Sequence, residues 1–281
     1  MIYLLLAIAS SAMVSVCMRI SEKHVGNTMA MFTANYAVCL AISRFYMGDI
    51  RLFTVESGMA AAIGLGVASG FLYLVNFVLL QRNIRDSGVV LSSASMKLGA
   101  VLIPVMAAIL FFHEQVKGLQ LAGAVLAVAA ILLINVEKGG IHKDGKKGGL
   151  IVLLLVSGLT DTMANIYDKT GTETMKNHYL FYTFLAALFL AFAMALRKKD
   201  KVRSTDVFYG LLIGVPNYYS ARFLLAALGK VPAVIVYPVY SVGTIITVTL
   251  IGLAVFHEVL SRRKLGALVL ILAALVMLNA S

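Results

Sequence analysis

There is no tryptophan in this sequence, there are only two cysteines, and charged residues occupy just 13% of its 281 positions. Each shortage excludes something. A soluble protein of this length carries about twice that charged fraction. No soluble core hides a chain that is 60% hydrophobic, because burial on folding stops well short of complete. Lipid must be the solvent for most of the surface, so an integral membrane protein is expected. Cys17 and Cys39 fall inside apolar segments with no CxxC or metal-ligand spacing, which leaves them as small buried hydrophobes rather than redox or metal-binding groups. Without tryptophan, a deep cage for a quaternary ammonium has only tyrosine and phenylalanine to build from. Acidic residues are also scarce, 13 against 24 Lys and Arg, for a net charge of +11. The basic residues crowd into gaps between apolar runs, most densely at 137–149 and 197–206. That is the pattern of cytoplasmic loops facing anionic lipid, not of a nucleic-acid surface.

What the chain does have is long apolar runs. A membrane-crossing helix needs roughly 20 mostly apolar residues. Such runs lie near 2–18, 28–47, 58–80, 87–112, 117–136, 149–168, 176–196, 207–228, 231–256 and 265–279. The first has no basic stretch before it, and too little hydrophobic sequence precedes the AIA at 7–9 for a cleavable signal, so it is expected to be the first span. Stretches such as IVLLLVSGL and GALVLILAALVML do not alternate, which argues for helices and against a β-barrel. Gly66 and Gly70, and again Gly210 and Gly214, form GxxxG pairs that let helix backbones approach closely in lipid.

The triplet FHE occurs twice, at 112–114 and 256–258. Glu258 follows Glu114 by 144 positions, and the same offset aligns Gly66 with Gly210, Gly70 with Gly214, Gly99 with Gly243 and Asn135 with Asn279. Spans three to five therefore repeat as spans eight to ten. The first two spans repeat less clearly, near an offset of 150 that brings Ser11 onto Asp161, Ser15 onto Asn165 and Arg19 onto Lys169. The expected fold is an all-α integral membrane protein of ten transmembrane helices, built as two inverted five-helix repeats. The first is 1–136, the second 149–281, and the basic loop 137–148 connects them. An odd number of spans per half inserts the second half upside down, a recurring plan of secondary transporters with substrate near the midplane.

With its five-plus-five repeat and a Glu closing the fourth and ninth spans, the chain resembles the EamA-type drug/metabolite transporter superfamily. The turn reads His113–Glu114 and His257–Glu258, followed by LAGAVLAVAAILLIN and LGALVLILAALVMLN. The proline usual early in the fourth span is absent, and Pro104 comes later. The resemblance spans essentially the whole chain. It implies a multi-pass transporter of the cell membrane, either a bacterial inner or a plasma membrane. Its members carry drugs, amino acids, sugar phosphates and nucleotide sugars, so no single substrate follows.

Ionisable residues deep in spans are functional candidates, because an unpaired charge there costs several kcal/mol. Lys97, Asp161 and Arg222 lie in the fourth, sixth and eighth spans. At 1.5 Å per residue, Asp161 and Arg222 come within roughly 5 Å of each other in depth. Three readings stay open. Asp161 pairs with Lys97 or Arg222 to lock the halves together; Lys97 and Arg222 present positive charge to an anionic solute, as such residues do in the sugar-phosphate branch; or Asp161 attracts a cation or exchanges protons. Polar stripes run beside these charges. Tyr237, Tyr240, Ser241 and Thr244 share one face of the ninth span, and Ser157, Asp161, Asn165 and Asp168 one face of the sixth. Tyr73 and Asn76 are near-equivalents of Asn217 and Tyr218 under the repeat, and Pro216 is expected to break the eighth helix and free carbonyls beside them. The candidate substrate site is thus Lys97, Asp161, Asn165, Arg222, Asn217, Tyr218, Tyr237, Tyr240, Ser241, Tyr73 and Asn76, with Asp161 the proton-coupling candidate.

Two positives against one negative favour an anionic or zwitterionic solute such as an amino acid or another organic acid. The alternative is proton-coupled export of cationic drugs or quaternary amines through Asp161. No GxxxxGK[ST] is present, so direct use of ATP is not expected. No metal site or cofactor is expected either, since the HE pairs lack the second histidine of a helical zinc motif. A membrane-embedded enzyme would need a nucleophile and base or metal ligands converging on one site. All five histidines sit in loops or at span ends, and short loops disfavour a receptor. The expected partners are a small-molecule substrate and membrane lipids, not nucleic acid, for a monomer or homodimer. Loops after odd-numbered spans hold most of the Lys and Arg, which places those loops in the cytoplasm and both termini outside.

Overall fold

The computed structural model describes residues 2–47, 58–112, 148–198, 200–231, 233–258 and 262–278, with isolated positions between 118 and 129. Among the described residues every regular element is helical. In chain order these are α1 (Ile2–Ser21), α2 (Thr28–Met47), α3 (Met59–Ser87), α4 (Val89–Phe112), α5 (Gly148–Thr170), a 3-10 turn (Glu173–Met175), α6 (Lys176–Lys198), α7 (Ser204–Leu228), α8 (Ala233–Ala254) and α9 (Arg262–Leu278). The fifth apolar run falls outside the described residues but for a few isolated helical positions. His113–Glu114, the loop at 137–147 and Asn279 lie outside them entirely.

Among the described residues, five segments are long and apolar enough to cross a bilayer: Ile2–Ser21, Met59–Ser87, Gly148–Thr170, Glu173–Arg197 and Ser204–Leu228. Shorter apolar stretches occupy Val89–Ile103, Val239–Ala254 and Leu268–Met277. Helix is the form in which such sequence satisfies every backbone N–H and C=O within one segment. Large apolar side chains such as Phe45 and Phe189 in α2 and α6, and Leu250 in α8, are exposed, as side chains that face lipid are. The architecture fits a membrane protein.

One local expectation is corrected. Pro216 does not break its helix: α7 runs unbroken from Ser204 to Leu228 with the proline inside it. Its ring removes only the N–H that would have bonded the carbonyl four residues back. In a membrane helix, packing against neighbours tolerates that loss. Two carbonyls from here, the Gly214 oxygen accepts the Cys39 thiol at 3.3 Å.

The helices form two compact units, Met1–Val78 with Met163–Lys230 and Leu79–Thr162 with Val231–Ser281. In the first, α7 packs on α1 and α2, and α2 packs on α6. Glycine makes the closest approaches. A Cβ at Gly66 of α3 would stand 2.9 Å from the Tyr182 Cβ and 3.0 Å from the Tyr179 carbonyl oxygen of α6, and one at Gly70 would strike the Thr183 carbonyl. In α7, a Cβ at Gly210 would strike the Met31 carbonyl of α2, and one at Gly214 would lie 2.7 Å from the Asn35 oxygen. Tyr36, Tyr73, Phe77, Phe184 and Tyr218 fill the space between with rings 5.8–6.5 Å apart. At one end the wholly buried Asp206 accepts the backbone N–H groups of Gly26 at 2.8 Å and Arg203 at 2.9 Å. That carboxylate caps α7 and ties the α1–α2 turn to it.

In the second unit α4 packs on α8 and α9. Its contact with the first turns of α5 is the tightest kind, since a Cβ at Gly99 would fall onto the Leu154 carbonyl and one at Gly158 onto Ile103 and the Gly99 carbonyl. Ser157 crosses the same contact, its hydroxyl donating to the Met96 carbonyl at 2.9 Å.

Candidate functional site

The predicted site residues divide between the two units. Lys97, Asp161, Tyr237, Tyr240 and Ser241 belong to the second. Lys97 is only 4% exposed. Its ammonium sits over the Tyr240 ring, 3.8 Å from the centroid, where the negative face of the π system offsets part of the lost hydration. Lys97 is also the cation that acts electrostatically on the Asp161 carboxylate. Tyr237 and Tyr240 are buried beside Ser241 on α8. The Ser241 hydroxyl and that of Ser95 on α4 are buried without a hydrogen-bond partner among the described residues. Leaving such a group unsatisfied costs roughly 1–3 kcal/mol. The second unit therefore gathers a buried cation, a half-buried carboxylate, an aromatic face and two spare hydroxyls on α4, α5 and α8.

Tyr73, Asn76, Asn165, Asn217, Tyr218 and Arg222 belong to the first unit. Asn217 donates to the Asn35 side-chain oxygen at 3.2 Å and to the Cys39 sulfur at 3.5 Å. Tyr218, one residue on, accepts a bond from Arg222 at 3.2 Å. The Arg222 guanidinium also donates to Asn177 at 3.0 Å and lies 3.7 Å over the Tyr46 ring, which stacks on Tyr218 at an interplanar angle of 8°. Asn177 in turn donates to the Tyr46 carbonyl at 3.2 Å. Tyr73 packs on Phe77 and Phe184. The buried Asn76 oxygen has no hydrogen-bond partner among the described residues, nor do the Asn35 nitrogen and the Tyr36 hydroxyl. Asn165 is half-buried.

Several residues on the predicted polar stripes turn out to be committed to the scaffold. Ser157 binds the α4 backbone, Thr244 bonds the Tyr240 carbonyl within its own helix, and Asp168 pairs with Lys176 at 3.3 Å. Sequence reading missed Asn35, Tyr46, Asn177 and Lys230. Asn35, Cys39 and Ser43 stand at i, i+4 and i+8 on one buried face of α2, a periodicity that flags them. Asn177 and Lys230 stand near helix ends, where polar residues are ordinary and carry no signal.

The repeated His–Glu motif has a structural part in its second copy. His257 has φ +50°, the left-handed conformation that ends a helix abruptly. This turn swings the Glu258 carboxylate back onto the start of α4, where it accepts the N–H of Val89 at 2.8 Å and of Val90 at 3.4 Å. An anion there meets both orphan donors and the positive end of the helix dipole. Glu258→Ala should lower stability by about 1–2 kcal/mol, and Glu258→Gln by less, because the amide oxygen still accepts one bond. Thermal unfolding of detergent-purified protein checks this ranking. Equal unfolding temperatures for all three proteins would remove the capping role.

No family model matches the chain. Over 280 residues it is 26% identical to an uncharacterized protein of Haemophilus influenzae, covering 97% of this chain and 95% of that one. It is also similar to a solved structure described as the crystal structure of a protein, at 14% identity and a TM-score of 0.60 over 98% of this chain and 94% of the other. That likeness is one of fold.

Proposed function

We propose that the chain is a secondary transporter of the drug/metabolite type, with ten spans in two inverted five-helix repeats, carrying a small anionic or zwitterionic organic acid by alternating access. The observation that carries the reading is Lys97. It is an ammonium buried to 4% exposure on an apolar helix, resting on Tyr240 and acting on Asp161. Placing those charges in lipid costs several kcal/mol, a cost that packing alone gives no reason to bear. A carboxylate entering beside Lys97 gains a cation already stripped of water, and the Ser95 and Ser241 hydroxyls supply donors on the same two helices. Asp161 is then the group that competes with the substrate for the ammonium, which is how binding and ion exchange would be coupled.

The glycine contacts support the inverted repeat. Gly66 and Gly70 meet the carbonyls of Tyr179 and Thr183 and the Cβ atoms of Tyr182 and Ala186. Gly210 and Gly214 meet the carbonyls of Met31 and Asn35 and the Cβ atoms of Ala34 and Val38. Each atom in the first set corresponds to one 148 positions earlier in the second. The third span thus lies on the seventh as the eighth lies on the second, the exchange that a two-fold between halves requires. Tyr36 and Phe184, related by the same offset, meet each other at 6.5 Å, as a pair astride such an axis must.

A panel of carboxylates, amino acids and quaternary amines tested by thermal shift on purified protein is the direct test. A carboxylate or amino acid should raise the unfolding temperature of wild type, as mass action requires, and Asp161→Asn should retain or strengthen that rise. Stabilisation by quaternary amines alone, lost in Asp161→Asn, would replace this reading with cation export.

A further inference from the structure

The first unit holds a second constellation of charge that the transport reading does not use. A cavity of about 270 Å³ opens among the end of α7, the turn before α6 and the start of α1. Tyr3, Glu173, Lys176, Arg222, Phe223 and Lys230 are among the residues that line it. Lys176 is neutralised by Asp168 at 3.3 Å and Glu173 at 3.6 Å. Arg222 and Lys230 differ, because among the described residues neither makes an ion pair. Both are held by rings and neutral groups instead. Arg222 has Tyr46 beneath its plane and gives one nitrogen to Asn177 and Tyr218, and Lys230 lies 4.7 Å over Tyr3.

Rings and amides orient a cation without cancelling its charge. With one Nη occupied, the remaining N–H donors of the planar Arg222 fork are left for a ligand, and a fork of that geometry matches carboxylate and phosphate oxygens. Phe223 stacks on Tyr219 at 5.3 Å and, with Tyr3 and Leu180, gives the cavity apolar walls. Its volume falls just below the range typical of drug-sized ligands. Lys230 stands two residues past the end of α7 and Tyr3 in the first turn of α1, so the cavity opens where helices end, the part of a membrane helix that meets headgroups and water.

We infer that this cavity is an anion-binding site separate from Lys97, taking a phosphate or carboxylate head with a small apolar body, whether as a free solute or as the headgroup of an anionic lipid. Arg222 grips the head by two parallel N–H bonds, Lys230 adds charge from the rim, and Phe223 and Tyr3 cover the apolar part. The site stands or falls independently of the transport reading.

The test uses the full chain in phosphatidylcholine nanodiscs. Phenyl phosphate is titrated calorimetrically into wild type, Arg222→Gln, Lys230→Met and Lys97→Met. Wild type should bind. Arg222→Gln should weaken binding at least tenfold, Lys230→Met several-fold, and Lys97→Met should leave it unchanged. Lys230 is exposed, so its variant keeps the fold even where Arg222→Gln unfolds. A second arm replaces one third of the lipid with phosphatidylglycerol. If the natural occupant is a headgroup, wild type gains thermal stability in these discs, Lys230→Met gains less, and phenyl phosphate binding drops by competition. If the occupant is a free solute, phenyl phosphate binds equally in both discs. The inference is overturned if wild type responds to neither probe, if Lys230→Met and a folded Arg222→Gln bind as wild type does, or if Lys97→Met abolishes binding, which would merge the two sites into one.

Discussion

Valine in place of Gly99 should leave the protein unable to assemble its second unit. A Cβ at this position falls onto the Leu154 carbonyl oxygen, with the carbonyl carbon at 2.8 Å and Cα at 3.0 Å. The obstacle is backbone of another helix, so no rotamer change relieves it, and α4 and α5 must move apart. Overpacking a well-filled core costs roughly 1–3 kcal/mol. Here parting the helices would also break the Ser157 bond to Met96, so valine should exceed that range and alanine should reach its upper part. Gly64 supplies the control: it is a helical glycine of α3 with nothing within 4 Å of an added Cβ. Gly64→Ala should leave the unfolding temperature unchanged or raise it, because glycine costs roughly 0.5–1 kcal/mol in a helix interior relative to alanine. Thermal unfolding and gel-filtration profiles of Gly99→Ala, Gly99→Val and Gly64→Ala decide the matter. A Gly99→Val protein that purifies as a stable, monodisperse species would show that α4 and α5 do not depend on this contact.

Lys97→Met should abolish transport while leaving the protein folded. Methionine keeps the length and apolar stem of lysine, so the space between α4 and α8 stays filled. The ammonium loses its contact with Tyr240, worth roughly 0.5–2 kcal/mol, but the several kcal/mol of desolvation that a buried charge carries also disappears. Asp161 loses that nearby cation and offsets the loss by taking up a proton. Stability should therefore change little. In proteoliposomes the flux of any carboxylate that stabilises wild type should fall at least a hundredfold, and the thermal shift given by that ligand should vanish. Lys97→Arg should not rescue flux, because a planar guanidinium does not fit the place of a compact ammonium on the Tyr240 face. Normal flux in Lys97→Met would make this lysine a structural cation and remove the reason for preferring an anionic substrate. Unfolding of Lys97→Met together with survival of a Lys97→Met/Asp161→Asn double variant would assign the pair to holding α4 and α5 together.

Some residues could be read in sequence for what they do in three dimensions and others could not. Gly66, Gly70, Gly210 and Gly214 were legible because i, i+4 spacing places two glycines on one helix face whatever the neighbour is. Their partners on α6 and α2 were not, since no local pattern names the helix that will lie against a given face. The Tyr237–Tyr240–Ser241–Thr244 stripe was legible as a face, but Thr244 spends its hydroxyl on its own helix while Tyr240 carries Lys97. The His257–Glu258 turn was legible as the end of a span, but Glu258 caps α4, 169 residues before it in the chain, which no local pattern indicates. Arg222 was legible as a charge inside a span. Its cradle of Tyr46, Asn177 and Tyr218 draws on three separate helices.

By itself the sequence determined the helical character of the chain, its need for an apolar solvent and which face of each helix is polar. These follow from composition and from a 3.6-residue period, both properties of a segment taken alone. Only the tertiary structure decided which polar face meets which, and so that Lys97 rests on Tyr240, that Arg222 stands without a carboxylate among the described residues, and that Gly99 admits no side chain. Those outcomes depend on the rotation and separation of whole helices. In lipid these are set by close packing and buried hydrogen bonds between segments far apart in the chain, which no single segment encodes.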